Sequence, residues 1–327
     1  MAGTGSEIGD AMTVLTILLA VTFAVLVGRN DGSPLVALAI RPLSSGQWWP
    51  PLVLVIATVA VPALGLRAVA ETLREMFAAA AGTSGLGLAV LLLATIATLA
   101  LSTVLGVPTS ITLALVGASA GAQLALGASA GGRIGRVLLL AALGPIVAAL
   151  LAFAVTRVQR VASGRNLERN IRWQYGLGFV ATAIAYGAND GQKLLAVFAL
   201  LWGVSAGVGA TDPRVVVLVA VCFAIGMVWG LRRSARGLRQ GVLHPKPYQV
   251  ASTLWASAIA VLLGSLLAAP VSMTQSITGG LIGSAPPQEW RRVRWEQSRR
   301  VLLAWLWTLP AAGVAGWLLT LLAQAIA

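Results

Sequence analysis

One cysteine, one histidine and ten acidic residues are all that 327 positions hold of the side chains on which most enzymes are built. The lone Cys222 excludes an internal disulfide and any cysteine metal cluster, and it reads as a small apolar core residue. His244 stands among Pro245, Lys246 and Pro247 in a polar connection, which leaves almost no material for a histidine metal site or a proton relay. No stretch matches a catalytic triad, a Walker loop, or a thiol or zinc site, so no enzyme and no resident cofactor are expected. Charge is scarce as well: 10% of residues are charged against 58% hydrophobic, too little polar surface to cover a water-soluble globule.

What the chain has instead is long apolar runs. Thr13 to Gly28, Pro50 to Leu66, Leu86 to Val107, Val137 to Val155, Val215 to Leu231, Gln249 to Ala269 and Val301 to Ala325 each approach the roughly 20 residues that cross a bilayer as a helix. The runs are continuous rather than alternating with period two, which excludes a transmembrane barrel. The first run has no Lys or Arg before it and no small-residue cleavage pattern after it, so it reads as a retained span. The expected fold class is an all-α polytopic membrane protein embedded in the lipid bilayer.

A net charge of +13 could point to nucleic acid, but placement argues otherwise. The basic residues gather in three short connections: Arg157 to Arg172, Arg232 to Lys246, and Arg291 to Arg300. Basic loops flanking spans are retained on the cytoplasmic side, so the excess encodes topology in the cytoplasmic membrane, with anionic lipid contact as a by-product. Threading the chain with those loops inside puts 16 of the 23 basic residues inside and five outside, with both termini outside. Arg29 and Lys193 are left at membrane depth.

The chain also repeats itself. Gly28-Arg29-Asn30-Asp31-Gly32 returns as Gly187-Ala188-Asn189-Asp190-Gly191, and Asp31 and Asp190 are the only acids within the expected spans. Downstream, Pro108-Thr109-Ser110-Ile111-Thr112 with Gly117 and Gly121 is echoed by Pro270-Val271-Ser272-Met273-Thr274 with Gly279 and Gly283. Parity of the threaded spans requires the second half to be inverted relative to the first. The expected organisation is a first inverted repeat over 1–156 (broken helix at 28–33, re-entrant hairpin near 86–126) and a basic cytoplasmic connector over 157–173. A second repeat then covers 174–327 (broken helix at 187–193, hairpin near 249–285).

A carboxylate inside an apolar span costs several kcal/mol unless it faces protein, water or an ion. An interrupted helix supplies carbonyls, Asn amide oxygens and carboxylates that suit a hard cation, while a helix N-terminus suits an anion. Asn30, Asp31, Asn189 and Asp190 are therefore candidates for both cation and substrate, with Thr109 and Gln275 at the two hairpins added for the cation. Ser110, Thr112, Ser272 and Thr274 open helices whose free amides and hydroxyls can hold an oxyanion. Lys193 lies three residues beyond Asp190, where it can pair with that carboxylate or with a bound anion. Arg29 has Ala188 as its counterpart, and either snorkels or balances Asp31. Either cluster alone could be a close-packing face; the two together, twice and in the same order, point to a secondary transporter with its site at the repeat interface.

These residues resemble the inorganic phosphate transporter family, as a divergent prokaryotic member. The resemblance rests on both Gly-x-Asn-Asp signatures, both Pro-x-Ser-x-Thr hairpins, Gly187 to Lys193 as the second signature, and Ala304-Trp305-Leu306-Trp307-Thr308-Leu309-Pro310 as the closing helix. It implies alternating-access symport of inorganic phosphate with Na+ or H+ as coupling cation, and a homodimer. It also implies that Asn30, Asp31, Asn189 and Asp190 handle cation and substrate, while the hairpin hydroxyls bind a tetrahedral oxyanion or a sodium ion. Two departures, Gly32-Ser33-Pro34 after the first signature and Leu113 and Gln275 where the family carries histidine, keep sulfate open as the substrate. An ion channel and, more remotely, an intramembrane enzyme are the other classes.

Overall fold

The computed structural model describes residues 3–40, 48–81, 85–104, 109–128, 131–161, 167–203, 211–239, 242 and 244–326. The described residues are helical, with no strand among them. Helix α1 (Gly3–Val27) runs through a single π turn, Gly28–Gly32, into α2 (Ser33–Ile40). Then come α3 (Trp49–Ala63), α4 (Ala68–Ala81), α5 (Gly85–Val104), α6 (Ile111–Ala125) and α7 (Gly131–Val161). Helix α8 (Leu167–Tyr186) passes through a second π turn, Gly187–Gly191, into α9 (Gln192–Leu201). The chain ends with α10 (Pro213–Arg239), α11 (Pro247–Leu266), α12 (Met273–Gly283), a 3-10 turn (Pro287–Arg292) and α13 (Trp295–Ile326).

Six of these helices are long and apolar enough to cross a bilayer, and the pair α3 and α4, bent by 77°, makes a seventh if taken as one span. Lipid offers no hydrogen bonds, so hydroxyls inside such helices bond back to the carbonyl one turn earlier. Thr58 donates to Leu54, Thr95 to Leu91, Thr98 to Ala94, Ser265 to Val261 and Thr308 to Ala304 in this way.

Two expectations change in form. The Asn-Asp motifs do not unwind the helix: each widens it into one π turn whose flanking residues keep right-handed helical angles. A π turn inserts one residue without surrendering the helix, which frees local backbone groups at small cost and often marks a functional site. The connector expected over 157–173 is largely helix, because α7 continues to Val161 and α8 starts at Leu167. Arg and Gln are good helix formers, so charge alone does not make that stretch a loop.

The packing of the two halves is reciprocal. Gly28 and Gly32 in the first π turn lie against Phe223 of α10, so close that a Cβ on Gly28 would stand 2.1 Å from the Phe223 carbonyl oxygen. In the second π turn, Gly187 and Gly191 lie equally close to the Ala57 and Thr58 carbonyls of α3. Likewise α6 seats Gly117 and Gly121 on Leu309 and Gly313 of α13, while α12 seats Gly279 and Gly283 on Pro145 and Ala149 of α7. Small residues let backbones approach where no hydrophobic gradient drives helices together. Thus α6 rests on α13 and α12 rests on α7, joining elements far apart in the chain.

Candidate functional site

Asp190 and Lys193, three apart on the same helical face, form an ion pair of 2.5 Å with both side chains 1% exposed. Lys193 Nζ also donates to Thr112 Oγ1 at 2.6 Å and to the Val271 carbonyl at 2.9 Å. Thr112 sits in the first turn of α6 and Val271 just ahead of α12, so one ammonium joins the second Asn-Asp motif to the starts of both helices. An ammonium has three protons, and all three are spent on protein acceptors.

Asn189 is fully buried, and its amide nitrogen donates to Ser265 Oγ at 3.0 Å and to the Ala269 carbonyl at 2.9 Å. Those partners lie at the end of α11, where Ala268 takes a left-handed φ of 56° and Ala269 N–H closes onto Gly264. Pinning the amide nitrogen leaves Asn189 Oδ1 unpartnered. Asp190 Oδ2, Asp31 Oδ1 and Asn30 Nδ2 are likewise buried without a partner. Asp31 is 2% exposed and has both Asp190 and Lys193 within electrostatic reach. The carboxylates of the two motifs, 159 positions apart in sequence, therefore share one buried region.

The remaining expected residues lie at the hairpins. Ser110 and Ser272 are buried caps with extended backbone, whose hydroxyls accept from Leu113 N and Gln275 N, both at 3.4 Å. Ser272 and Thr274 hydroxyls lie 3.0 Å apart. Gln275 is buried, whereas Thr109 and Thr274 are half-buried, and Pro108 lies outside the described residues. Thr112 and Val271 reach Asp190 through Lys193, the Met273 backbone N–H reaches Asp190 itself, and Ser265 and Ala269 hold Asn189. Arg29 is resolved in favour of the edge of the bundle: its guanidinium lies 4.3 Å over the ring of Trp229, which is 61% exposed.

Two residues escaped the sequence reading. Tyr186 is fully buried, its ring 5.6 Å from Phe223, with its hydroxyl unpartnered and both carboxylates within electrostatic reach. The signal was present, since Tyr186, Asp190 and Lys193 are spaced i, i+4, i+7 on one helical face. Gln192, 1% exposed, accepts from the Ala70 backbone N–H at 2.8 Å and donates to the Ala188 carbonyl, tying the start of α4 to the second π turn. Only the fold could reveal that partner, 122 positions away.

The region thus offers carboxylate, amide and phenol oxygens for a hard cation, and one ammonium with a hydroxyl beside it for an anion. The model of the phosphate transporter family matches residues 168–316, the half that carries Asn189, Asp190 and Lys193. A probable low-affinity inorganic phosphate transporter of Mycobacterium tuberculosis is 32% identical over 229 residues, covering 66% of this chain and 55% of the relative. The matched stretch therefore spans about half the length of that relative. A protein of the same description from Bacillus subtilis is 24% identical over 322 residues, 93% of this chain and 95% of its own. Among solved structures, the sodium-dependent phosphate transporter superposes with a TM-score of 0.77 at 14% identity, covering 97% of this chain and all of that one, which establishes the shared fold.

Proposed function

We propose, from the match to the phosphate transporter family over residues 168–316 and from the relatives above, that this chain carries out secondary active transport: symport of inorganic phosphate with a monovalent cation, Na+ or H+, across the cytoplasmic membrane by alternating access. One observation carries the reading. Lys193 holds Asp190, Thr112 and Val271 at once, so both hairpins and an Asn-Asp motif meet at a single buried cation. A buried ammonium with a threonine hydroxyl suits a tetrahedral oxyanion, and unpartnered oxygens on Asp31, Asp190, Asn189 and Tyr186 suit the coupling cation. Asn30 completes the cation side, with Ser110, Ser272 and Thr274 on the anion side and Thr109 and Gln275 at the hairpin tips.

The reciprocal seating of each hairpin on the opposite half supports two inverted repeats, over 1–156 and 174–327, that rock about this locus. The cation neutralises carboxylate charge so that the anion is desolvated beside it rather than repelled. Sulfate is the second candidate, because tetrahedral geometry and charge are shared and the first signature reads Gly32-Ser33-Pro34. The test is uptake of labelled phosphate and sulfate into proteoliposomes, with sodium and proton gradients imposed separately. Saturable, gradient-driven phosphate uptake is expected; no driven uptake of either anion would refute the proposal, and unsaturated ohmic flux would indicate a channel instead.

A further inference from the structure

The two Asn-Asp motifs are not equivalent in charge. Three residues after Asp190 stands Lys193, but three residues after Asp31 stands Pro34, which has no charge to offer. Two carboxyl groups share the buried region with one ammonium, which pairs with Asp190; on the first motif Asp31 Oδ1 has no partner.

Lys193 has no proton to spare, since Asp190, Thr112 and Val271 accept all three at 2.5, 2.6 and 2.9 Å. An oxyanion that takes a hydrogen bond from this ammonium must displace one of them. Thr112 and Val271 offer neutral acceptors, whereas Asp190 holds the ammonium by charge and is the group an incoming anion opposes in kind. If the ammonium turns from Asp190 to the anion, the Asp190 carboxylate loses its only cation at 1% exposure and keeps just the Met273 backbone N–H beside an unpartnered Oδ2. A buried carboxylate in that position is strongly disfavoured without a replacement cation.

Building on the phosphate reading above, we propose that Lys193 is an exchangeable internal counterion, paired with Asp190 until an oxyanion claims its ammonium. Asp190 then takes a coupling cation in its place. The anion thereby creates the second cation site, while Asp31 binds its cation whether or not the anion is present. Linkage makes the effect reciprocal: whatever factor the anion adds to cation affinity, the cation adds to anion affinity. Coupling needs no relay between distant sites, because the two ligands compete for opposite ends of one ion pair.

The experiment measures cation binding to the purified full-length protein with and without saturating inorganic phosphate. Sodium is followed by equilibrium binding of labelled Na+, and protons by uptake from weakly buffered solution with an indicator dye. The native chain is expected to hold one cation without phosphate and two with it, the second at least about tenfold tighter in phosphate, within the usual range for coupled sites. Lys193→Gln leaves Asp190 without its counterion and is expected to hold two cations in either condition. The double variant Asp190→Asn with Lys193→Gln removes the pair together and is expected to hold one in either condition, a result available even if the single variant folds poorly. A native-like rise on adding phosphate in either variant overturns the inference, as does a native chain that binds phosphate with no change in cation binding. A native chain that binds neither phosphate nor sulfate would instead overturn the functional reading itself.

Discussion

Replacing Gly187 by alanine sets a local overlap against the geometry of the whole site. A Cβ at this position would stand 2.1 Å from the Ala57 carbonyl oxygen, 2.8 Å from its carbon and 3.0 Å from Val61 Cβ. Two of the three are backbone atoms of α3 and cannot rotate away. Relief to the 3.0 Å that real Cβ atoms respect requires the second π turn and α3 to part by roughly 0.9 Å. Overpacking of this kind costs about 1–3 kcal/mol. Because Asn189 and Asp190 ride on the same turn, their oxygens move by a similar amount, and a misplacement of roughly 1 Å costs on the order of 100-fold in rate. Gly176→Ala is the control, since it lies in α8 with nothing within 4 Å of its would-be Cβ. There alanine is expected to be neutral or to stabilise by about 0.5–1 kcal/mol through helix propensity. Phosphate uptake into proteoliposomes and thermal unfolding in detergent measure both variants. Uptake by Gly187→Ala at the rate of Gly176→Ala, with equal melting temperature, would refute the argument that close approach to α3 positions the motif.

Asp31→Asn and Asp190→Asn are expected to change stability in opposite directions. The first removes a buried carboxylate oxygen with no partner and should raise the melting temperature, whereas the second strands Lys193 and should cost about 3–5 kcal/mol; equal shifts of one sign would contradict the charge asymmetry. Tyr186→Phe removes an unpartnered buried hydroxyl, so it should leave the melting temperature unchanged or raised, while weakening cation activation of uptake about tenfold if the phenol is a ligand. At the basic end, Lys246 hydrogen-bonds Glu289 at 2.6 Å and holds its carboxyl below the usual carboxylate range. A depressed folded value means that stabilisation is present above the ordinary glutamate range and is lost as pH falls through the folded value. The melting difference between the native chain and Glu289→Gln should therefore shrink on acidification below about pH 4; a difference constant with pH would exclude the pairing.

Much of this protein was settled by composition and order alone. Scarce charge and continuous apolar runs force helices, because a backbone in lipid must satisfy its own hydrogen bonds. The twin Asn-Asp and Pro-x-Ser-x-Thr elements also mark, by order alone, places where polar groups are buried. Sequence placed Ser110 and Ser272 at helix starts, where both cap, but could not say that Gly28, Gly187 and Gly191 lie against carbonyls of distant helices. Nor could it say that Arg29 turns to Trp229 rather than to Asp31. Such outcomes depend on which long-range partner arrives, and no local pattern encodes that. Lys193 shows the division clearly. Its spacing from Asp190 is written in the chain, but its contacts with Thr112 and Val271, 81 and 78 positions away, exist only once the bundle has closed. Hydrophobic runs are a property of neighbours in sequence, whereas satisfying a buried charge is a property of neighbours in space; the first decided the architecture, and the second decided the site.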